Sequence, residues 1–361
     1  MCVYRSFIRP LLFQLEPEQS HGLAHEFIAK GTPLLAAFGK KFIYSGSDLK
    51  VSLFGTTLSN PIGLAAGFDK NGDLVHGLKY LGFGYAEIGS ITGQAHEGNS
   101  KPRLWRLASD DGLINWLGLN NEGAVKIAER LATSKFSVPI GITIAKTNKP
   151  NITGNAAYED MLLSFRAIRH LPLMYVALNV SCPNTLDGVL EETGILSSVV
   201  EQISKENAAN LPIVLKLSPD SSDKLIEDMI EMGKKFSIAG YVCGNTSVSR
   251  AGLNTAEAED IKVGGLSGPP LKPLALSLCR KVYELKDKNQ IIMGCGGITN
   301  GQDAYDFIRA GSSVLQIYTS LVYEGPSVVR KINEELSALL KRDKLTLAQA
   351  VGIDCSAKAR Q

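Results

Sequence analysis

The sequence lacks the patterns of metal-binding, disulfide-stabilised and nucleic-acid-binding proteins. Its six cysteines form no C-x-x-C pair, and none lies near a histidine at the spacing of metal ligands. This usage is typical of a reducing compartment and predicts neither a zinc site nor a disulfide framework. The formal net charge is +2, which predicts no special affinity for nucleic acid.

Long apolar runs are also missing. The most apolar N-terminal run, FIRPLLFQL, is short and is interrupted by Arg9 and Pro10, so no membrane span is expected. The N-terminus has no signal-peptide layout. The segment from Ser6 to Phe42 instead contains two candidate helices with apolar residues at helical spacing and basic residues at their edges. Such a pair either lies on a membrane surface or packs on the main domain, and the periodicity fits both.

Composition and rhythm predict one large barrel domain with a small appendage. The 361 residues are 44% hydrophobic and 20% charged, which is ordinary for a globular protein with a sizeable core. From about Asn60, short apolar runs alternate with amphipathic helical stretches. The predicted strands are PIGLAA (61–66), YAEIG (85–89), VPIGITI (138–144), MYVALNV (174–180), PIVLKL (212–217), AGYVCG (239–244), QIIMG (290–294) and SVLQIY (313–318). Eight such units predict a closed (β/α)₈ TIM barrel, and an open doubly wound sheet is the alternative.

Polar residues recur where these strands end. In a barrel, the carboxyl ends of the strands and the loops after them build the active site. The candidates in strand order are Lys70, Ser90, Thr143, Asn179 with Cys182 and Asn184, Lys216, Asn245 with Thr246, Gly296 with Gly297, and Tyr318 with Thr319. A lone asparagine in such a place more often caps a turn. The shared position of the set favours a binding site at one rim.

Two glycine-rich stretches predict a phosphate site at that rim. GCGGITNGQDA places Gly294, Gly296 and Gly297 after the seventh strand and before a helix, where backbone N–H groups suit an anion. KVGGLSGPP, with Gly264, Gly265 and Gly268, lies in the preceding loop. Neither stretch is a dinucleotide fingerprint, because no G-x-G-x-x-G follows the first strand. The expected cofactor therefore carries one terminal phosphate, as FMN does.

The stretch NVSCPNT leaves the role of Cys182 open on these grounds alone. Its thiol is a candidate nucleophile, acid/base group, disulfide partner or small buried residue.

Longer motifs carry a resemblance to a known family. They are LEPEQSH, NPIGLAAGFDKNG, GFGYAEIGS, KPRLWRL, GLINWLGLNN, NVSCPNT, GGLSG, GCGGI and QIYTS. From about Phe13 to Leu336 the sequence resembles the dihydroorotate dehydrogenase family, specifically its quinone-dependent, membrane-associated class. The resemblance implies three sets of site residues. FMN would be held by Ala66, Gly67, Phe68, Asp69, Lys70, Ser90, Thr143, Asn179, Lys216, Gly244, Gly268, Gly297, Tyr318 and Thr319. The pyrimidine would be held by Lys70, Asn115, Trp116, Leu117, Gly118, Leu119, Asn179, Asn184, Asn245 and Thr246. A quinone tunnel would be lined by His21, Arg106 and Tyr318.

The resemblance also implies a reaction. Dihydroorotate would be oxidised to orotate in pyrimidine biosynthesis, with Cys182 as the base at C5, a hydride passing from C6 to FMN, and electrons passing on to a membrane quinone. In the quinone class this base is usually serine, whereas the soluble classes use cysteine. No metal is expected.

Several residues depart from the family pattern. Thr143 stands where the family has a flavin-contacting asparagine, and Trp116 and Leu119 replace an arginine and a phenylalanine of the substrate loop. LDGVLEET replaces the usual PGLR-type continuation after Thr185. Retained dihydroorotate oxidation is the prediction. The alternatives are a paralogous FMN oxidoreductase for another dihydropyrimidine or cyclic amide, and a flavin-binding protein without turnover.

The predicted organisation has three parts. Residues 1–45 form a helical segment that associates with the membrane and admits quinone, residues 46–340 form the FMN-binding barrel, and residues 341–361 form a tail. The expected location is peripheral, on the cytoplasmic face of a bacterial inner membrane.

Overall fold

The structure is a computed structural model that describes residues 3–179 and 193–356. The predicted site residues Cys182 and Asn184 lie outside the described residues. Strands are β1 (Val51–Leu53), β2 (Thr56–Leu58), β3 (Ile62–Leu64), β4 (Tyr85–Ile91), β5 (Leu104–Leu107), β6 (Gly112–Asn115), β7 (Ile140–Ile144), β8 (Tyr175–Asn179), β9 (Ile213–Leu217), β10 (Gly240–Cys243), β11 (Gly265–Ser267), β12 (Ile291–Cys295) and β13 (Val314–Ile317).

Helices precede the barrel and separate most of its strands. The α-helices are α1 (Arg9–Leu12), α2 (Pro17–Lys30), α3 (Thr32–Phe38), α4 (Ala124–Ala132), α5 (Gly154–Ile168), α6 (Thr193–Glu206), α7 (Asp223–Lys235), α8 (Lys272–Leu285), α9 (Gly301–Arg309), α10 (Thr319–Glu324), α11 (Val328–Arg342), α12 (Leu347–Ala350) and α13 (Ile353–Ser356). A π-helical turn spans Tyr4–Ile8, and 3₁₀ turns span Gly39–Lys41, Leu78–Leu81, Ala108–Asp110, Ala256–Asp260 and Pro269–Leu271. No helix in the described part of the chain is long and apolar enough to cross a membrane.

Eight parallel strands close into a barrel in the order β3-β4-β7-β8-β9-β10-β12-β13, with β13 pairing back to β3. These are the eight strands predicted from the apolar runs, so the TIM-barrel prediction is confirmed and the open sheet is excluded. Parallel strands need crossover connections, and helices such as α5 and α7 supply them on the outside. Local signals start these helices: the Ser222 hydroxyl, for example, accepts a hydrogen bond from the Leu225 N–H at 3.3 Å and caps α7.

Large aromatic rings fill the lower barrel. Tyr85 and Tyr175, the first residues of β4 and β8, are fully buried there. Gly63 and Gly141 make room for them, because a Cβ at either glycine would lie within 2.4 Å of a tyrosine ring carbon. Leu53 and Leu58 of the β1–β2 hairpin join the same cluster, so the hairpin covers the amino-terminal end of the barrel.

The opposite end carries a second, smaller sheet. Strands β5, β6 and β11 pair antiparallel, with β6 in the centre. Asn115 ends β6 and pairs with Gly265 of β11. The loops after β4 and β10 thus meet beside the carboxyl ends of the barrel strands, and they define one wall of the site.

Candidate active site

A polar pocket opens at the carboxyl ends of the barrel strands. The periodicity of a strand explains which residues line the pocket, because side chains two residues apart point the same way. The residue two positions after a buried interior side chain therefore faces the pocket. On β8 the interior residue Ala177 is followed by Asn179, and on β9 Val214 is followed by Lys216. Most predicted site residues line this one pocket: Ala66, Gly67, Lys70, Ser90, Asn115, Leu117, Gly118, Leu119, Asn179, Lys216, Gly244, Asn245, Thr246, Gly268, Gly297, Tyr318 and Thr319.

Amide side chains form a chain across the pocket floor. Asn245 Nδ2 donates to Asn179 Oδ1 at 3.3 Å, and Asn179 Nδ2 donates to Ser90 Oγ at 2.9 Å. The side-chain oxygen Oδ1 of Asn245 accepts from the Thr246 N–H at 3.0 Å. The Thr246 hydroxyl is buried and has no partner within the described residues. Amides offer donors and acceptors in one plane, which suits a ring with imide groups of its own.

Two asparagine side chains hold the loop after β6 in place. Asn99 Nδ2 donates to the Trp116 carbonyl at 3.1 Å, and Asn148 Nδ2 donates to the Gly118 carbonyl at 3.3 Å. Leu119 has φ +58°, in the left-handed region that non-glycine residues rarely adopt. These contacts hold Leu117, Gly118 and Leu119 against the pocket.

Four predicted site residues lie away from the pocket surface. The Asp69 carboxylate accepts backbone N–H groups of the turn that follows it, and Phe68 lines a separate apolar cavity. Thr143 is fully buried and its hydroxyl donates to Glu87. Trp116 lines a neighbouring surface groove.

A buried carboxylate below the pocket was not predicted as a site residue. Glu87, in the middle of β4, accepts hydrogen bonds from Thr143 Oγ1, from the Tyr175 hydroxyl at 2.7 Å and from Gln316 Nε2 at 2.7 Å. Its Oε1 lies 3.4 Å from Lys216 Nζ. The sequence does contain a sign of this site: Glu87 stands within the apolar run YAEIG, and buried acids are rare unless they are paired. Gln316 and Cys295, which also line the pocket, were likewise missed.

The pocket has the features expected for a cofactor with a terminal phosphate. Thr246, Gln316 and Ser320 line this pocket, and each has a buried side-chain oxygen without a hydrogen-bond partner in the described part of the chain, which a ligand could satisfy. Gly268 and Gly297 have φ +99° and +74°, and a Cβ on Gly297 would meet the Lys272 backbone N at 2.8 Å. Only glycine therefore permits this turn at the predicted phosphate position.

Lys70 supplies positive charge at the rim. Its Nζ donates to the Gly67 carbonyl at 2.8 Å. Burial is the main cause that lowers the pKa of Lys70 to about 8, with Arg103 adding to the decrease and Asp69 and Glu18 opposing it. In its protonated form Lys70 can bind a carboxylate ligand, and this attraction is lost when the ammonium loses its proton.

A separate apolar cavity lies between the N-terminal helices and the barrel. His21 and Arg106 line it together with Phe residues from α3 and the loop after β3. Tyr318 lines both this cavity and the polar pocket, as do Leu104 and Leu113. The three predicted tunnel residues therefore meet in one cavity, and the pocket and the cavity share a wall.

The environment of His21 is strongly apolar. Its ring contacts Phe68 edge-on at 5.1 Å between centroids and lies parallel to Tyr318 at 6.4 Å. Burial, followed by the charges of Lys70 and His25, lowers the pKa of His21 to about 3. His21 is therefore neutral at physiological pH.

A group of three side chains in the described residues has metal-ligand spacing: His25, Asp69 and Asp73. Both Asp69 oxygens already accept backbone N–H groups, at 2.8–3.0 Å. Asp73 lies 3.3 Å from Arg130 Nη1. The positions of the two carboxylates are thus explained by a backbone turn at Asp69 and an ion pair at Asp73.

A closed parallel barrel with a polar pocket at the carboxyl ends of its strands defines the class, a (β/α)₈-barrel enzyme. The family model of dihydroorotate dehydrogenase matches residues 48–340. The dihydroorotate dehydrogenase (quinone) of Natronomonas pharaonis is 39% identical over 352 residues, covering 96% of this chain and 98% of the relative. That of Mycolicibacterium gilvum is 38% identical over 354 residues, with 96% and 98% covered. The crystal structure of DHODH from Eimeria tenella in complex with ferulenol superposes with a TM-score of 0.82 at 29% identity, covering 94% of this chain and 95% of that one. The chain belongs to the dihydroorotate dehydrogenase family.

Proposed function

We propose that the protein oxidises (S)-dihydroorotate to orotate with bound FMN and passes the electrons to a membrane quinone. One observation carries the proposal: a polar pocket with converging amides shares the Tyr318 wall with an apolar cavity that opens among the N-terminal helices. This arrangement gives a polar reductant and an apolar oxidant separate access to one cofactor.

The pocket residues divide the work of binding. Asn115, Asn179, Asn245 and Thr246 would orient the pyrimidine, and the Lys70 ammonium would pair with its carboxylate. Gly268, Gly297 and Thr319 would hold the FMN phosphate. FMN, when bound, supplies the hydride chemistry, and the protein supplies orientation, charge and a base.

Cys182 is the proposed base for the C5 proton. It follows β8 by three residues in the sequence and lies outside the described residues. A thiol has a reference pKa of ~8.5, so its thiolate is accessible near neutral pH, whereas a serine hydroxyl needs a neighbour to accept the proton.

The N-terminal helices form the proposed entrance for quinone from a membrane. Phe7, Leu11, Leu23, Phe27 and Phe38 are between 50% and 65% exposed, which is costly in water and favourable at a lipid surface. Ile28 of α2 and Leu35 of α3 are buried in the core that the barrel strands share, which supports peripheral association.

Anaerobic titration tests the proposal. The purified protein should be yellow, and dihydroorotate should bleach the flavin without air. A yellow protein that dihydroorotate leaves unchanged supports the paralogous oxidoreductase, for which Trp116 and Leu119 supply a changed loop, or a flavin-binding protein without turnover. A colourless protein that cannot be loaded with FMN contradicts the cofactor assignment.

A further inference from the structure

Glu87 is a formal negative charge placed one side chain below the pocket. It is fully buried and does not line the pocket, yet both Lys216 and Gln316, which contact it, do. The column along β4 shows the order: Tyr85 in the lower barrel, Glu87 above it, and Gly89 at the pocket. Glu87 is therefore connected to the pocket through Lys216 and Gln316.

The surroundings keep this carboxyl ionised. Burial acts to raise the pKa of Glu87, but the charge of Lys216 and the hydrogen bonds from Thr143, Tyr175 and Gln316 outweigh burial and leave the pKa below its usual value. Burial raises the pKa of Tyr175 well above its usual value, so its hydroxyl stays a neutral donor. Among the described residues, Lys216 is the cation within ion-pair distance of Glu87.

Lys216 itself is held at the pocket floor with only 6% of its side chain exposed. A buried ammonium is unfavourable unless a counter-charge lies close to it. Its positive charge would stabilise an electron-rich reduced flavin, and the carboxylate 3.4 Å away would weaken that effect. The strength of the pair therefore bears on how easily the cofactor is reduced.

We propose that Glu87 is a positioning residue of the cofactor site, which holds the Lys216 ammonium in place and offsets part of its charge, and so sets the midpoint potential of the bound flavin. This inference rests on the proposed function, because it requires FMN in the pocket. It differs from a purely structural role, in which Glu87 would affect stability and leave the potential unchanged.

The test compares Glu87→Gln with Tyr175→Phe. Glu87→Gln removes the charge at nearly constant shape, and Tyr175→Phe removes a donor to the same carboxylate but leaves the charge. The midpoint potential of the bound flavin is measured by equilibration with reference dyes at fixed pH, and thermal unfolding is recorded in parallel. Glu87→Gln should favour reduction at least tenfold, a positive shift of about 30 mV for a two-electron couple. Tyr175→Phe should lower the melting temperature and shift the potential much less.

A second pair of variants keeps the test decisive if Glu87→Gln folds poorly. Lys216→Met alone leaves a buried carboxylate without its cation, so it should lower both the potential and the stability. The double variant Lys216→Met/Glu87→Gln removes both charges, so it should be more stable than Lys216→Met and should have a more positive potential.

The outcomes separate the two proposals. A wild-type protein that binds no flavin overturns both. A flavin-loaded protein in which Glu87→Gln leaves the potential unchanged, or makes it more negative, overturns only the role of Glu87. Stability losses that simply add in the double variant show that Glu87 and Lys216 act independently, which also overturns it.

Discussion

At the scale of single residues, Lys70 gives the site a testable pH dependence. Burial lowers the pKa of Lys70 to about 8, so the free ammonium loses its proton as the pH rises through that value. An orotate carboxylate stays negative over this range, and only the protonated lysine attracts it. The dissociation constant of orotate should therefore be roughly tenfold higher at pH 9 than at pH 7, as measured by flavin difference spectra.

Lys70→Gln is the control for this dependence. The variant should bind orotate weakly at every pH, since it can donate a hydrogen bond but carries no charge. Any ionisation of orotate itself affects both proteins alike. The same pH dependence in wild type and variant would assign it to another group.

A second prediction at this scale concerns Cys182. Cys182→Ala should slow anaerobic flavin reduction by dihydroorotate by ~10²–10⁴, the usual contribution of a positioned general base, and leave orotate binding through the asparagines intact. Cys182→Ser should retain partial activity with a changed pH profile, because serine is the usual base of the quinone class. Flavin reduction by Cys182→Ala at close to the wild-type rate would identify Cys182 as a packing residue.

At the scale of elements, the sequence predicts the barrel strands better than it predicts the short strands in the segments before and between them. All eight barrel strands follow from apolar runs, because burial on both faces leaves a continuous signal. The β1–β2 hairpin and the β5–β6–β11 sheet were not predicted. Their strands are only three or four residues long, and β6 also pairs with a distant part of the chain, as Asn115 pairs with Gly265.

The position of a side chain inside the barrel was also hard to predict. Lys216 and Asn179 were identified because they stand at strand ends, where function is expected. Thr143 also ends a predicted strand, and the resemblance places it at the cofactor; in the structure its hydroxyl is buried and donates to Glu87. Which side chain faces the pocket depends on how the eight strands are aligned with one another. The apolar run of a single strand does not specify that register.

A clasp between α2 and the β5 region carries the third prediction. Arg103 Nη2 donates to Glu18 Oε1 at 2.6 Å, and Arg103 Nη1 donates to the carbonyls of Glu97 and Asn99. The hydrogen bond from Arg103 lowers the pKa of Glu18, so the pair is charged at neutral pH and is lost only as the pH falls through that lowered value. Glu18→Gln should increase hydrogen exchange in α2 and raise the KM for quinone, while the rate of flavin reduction at saturating dihydroorotate stays close to that of the wild type.

Glu26→Gln is a matched control on the same helix. Glu26 pairs with Lys30 at the surface, where 57% and 78% of the two side chains are exposed, and such pairs contribute little. Equal effects of the two substitutions would show that helix charge matters and the clasp does not.

At the scale of the whole molecule, the proposed function assigns one half-reaction to the barrel and the other to the N-terminal helices. Tyr318, Leu104 and Leu113 separate the polar pocket from the apolar cavity. Ile28 and Leu35, from α2 and α3, are buried in the same hydrophobic core as the barrel strands. The helices are therefore part of the folded unit, so surface substitutions test membrane binding more cleanly than deletion does.

Phe7 and Leu11 are suited to that test because each is 65% exposed and neither lines the apolar cavity. Replacing both with Gln should weaken binding to lipid vesicles by about 30- to 900-fold, since each apolar side chain contributes ~1–2 kcal/mol when it leaves water. Reduction of a long-tail quinone embedded in the vesicles should fall in parallel, whereas reduction of a short, water-soluble quinone should stay at the wild-type rate. Val125→Gln/Leu163→Gln is the matched control, because these side chains are 50% and 42% exposed and belong to the barrel helices α4 and α5 and not to the N-terminal segment. Vesicle binding that falls equally in the two double variants would show that the N-terminal helices are not the membrane-binding surface.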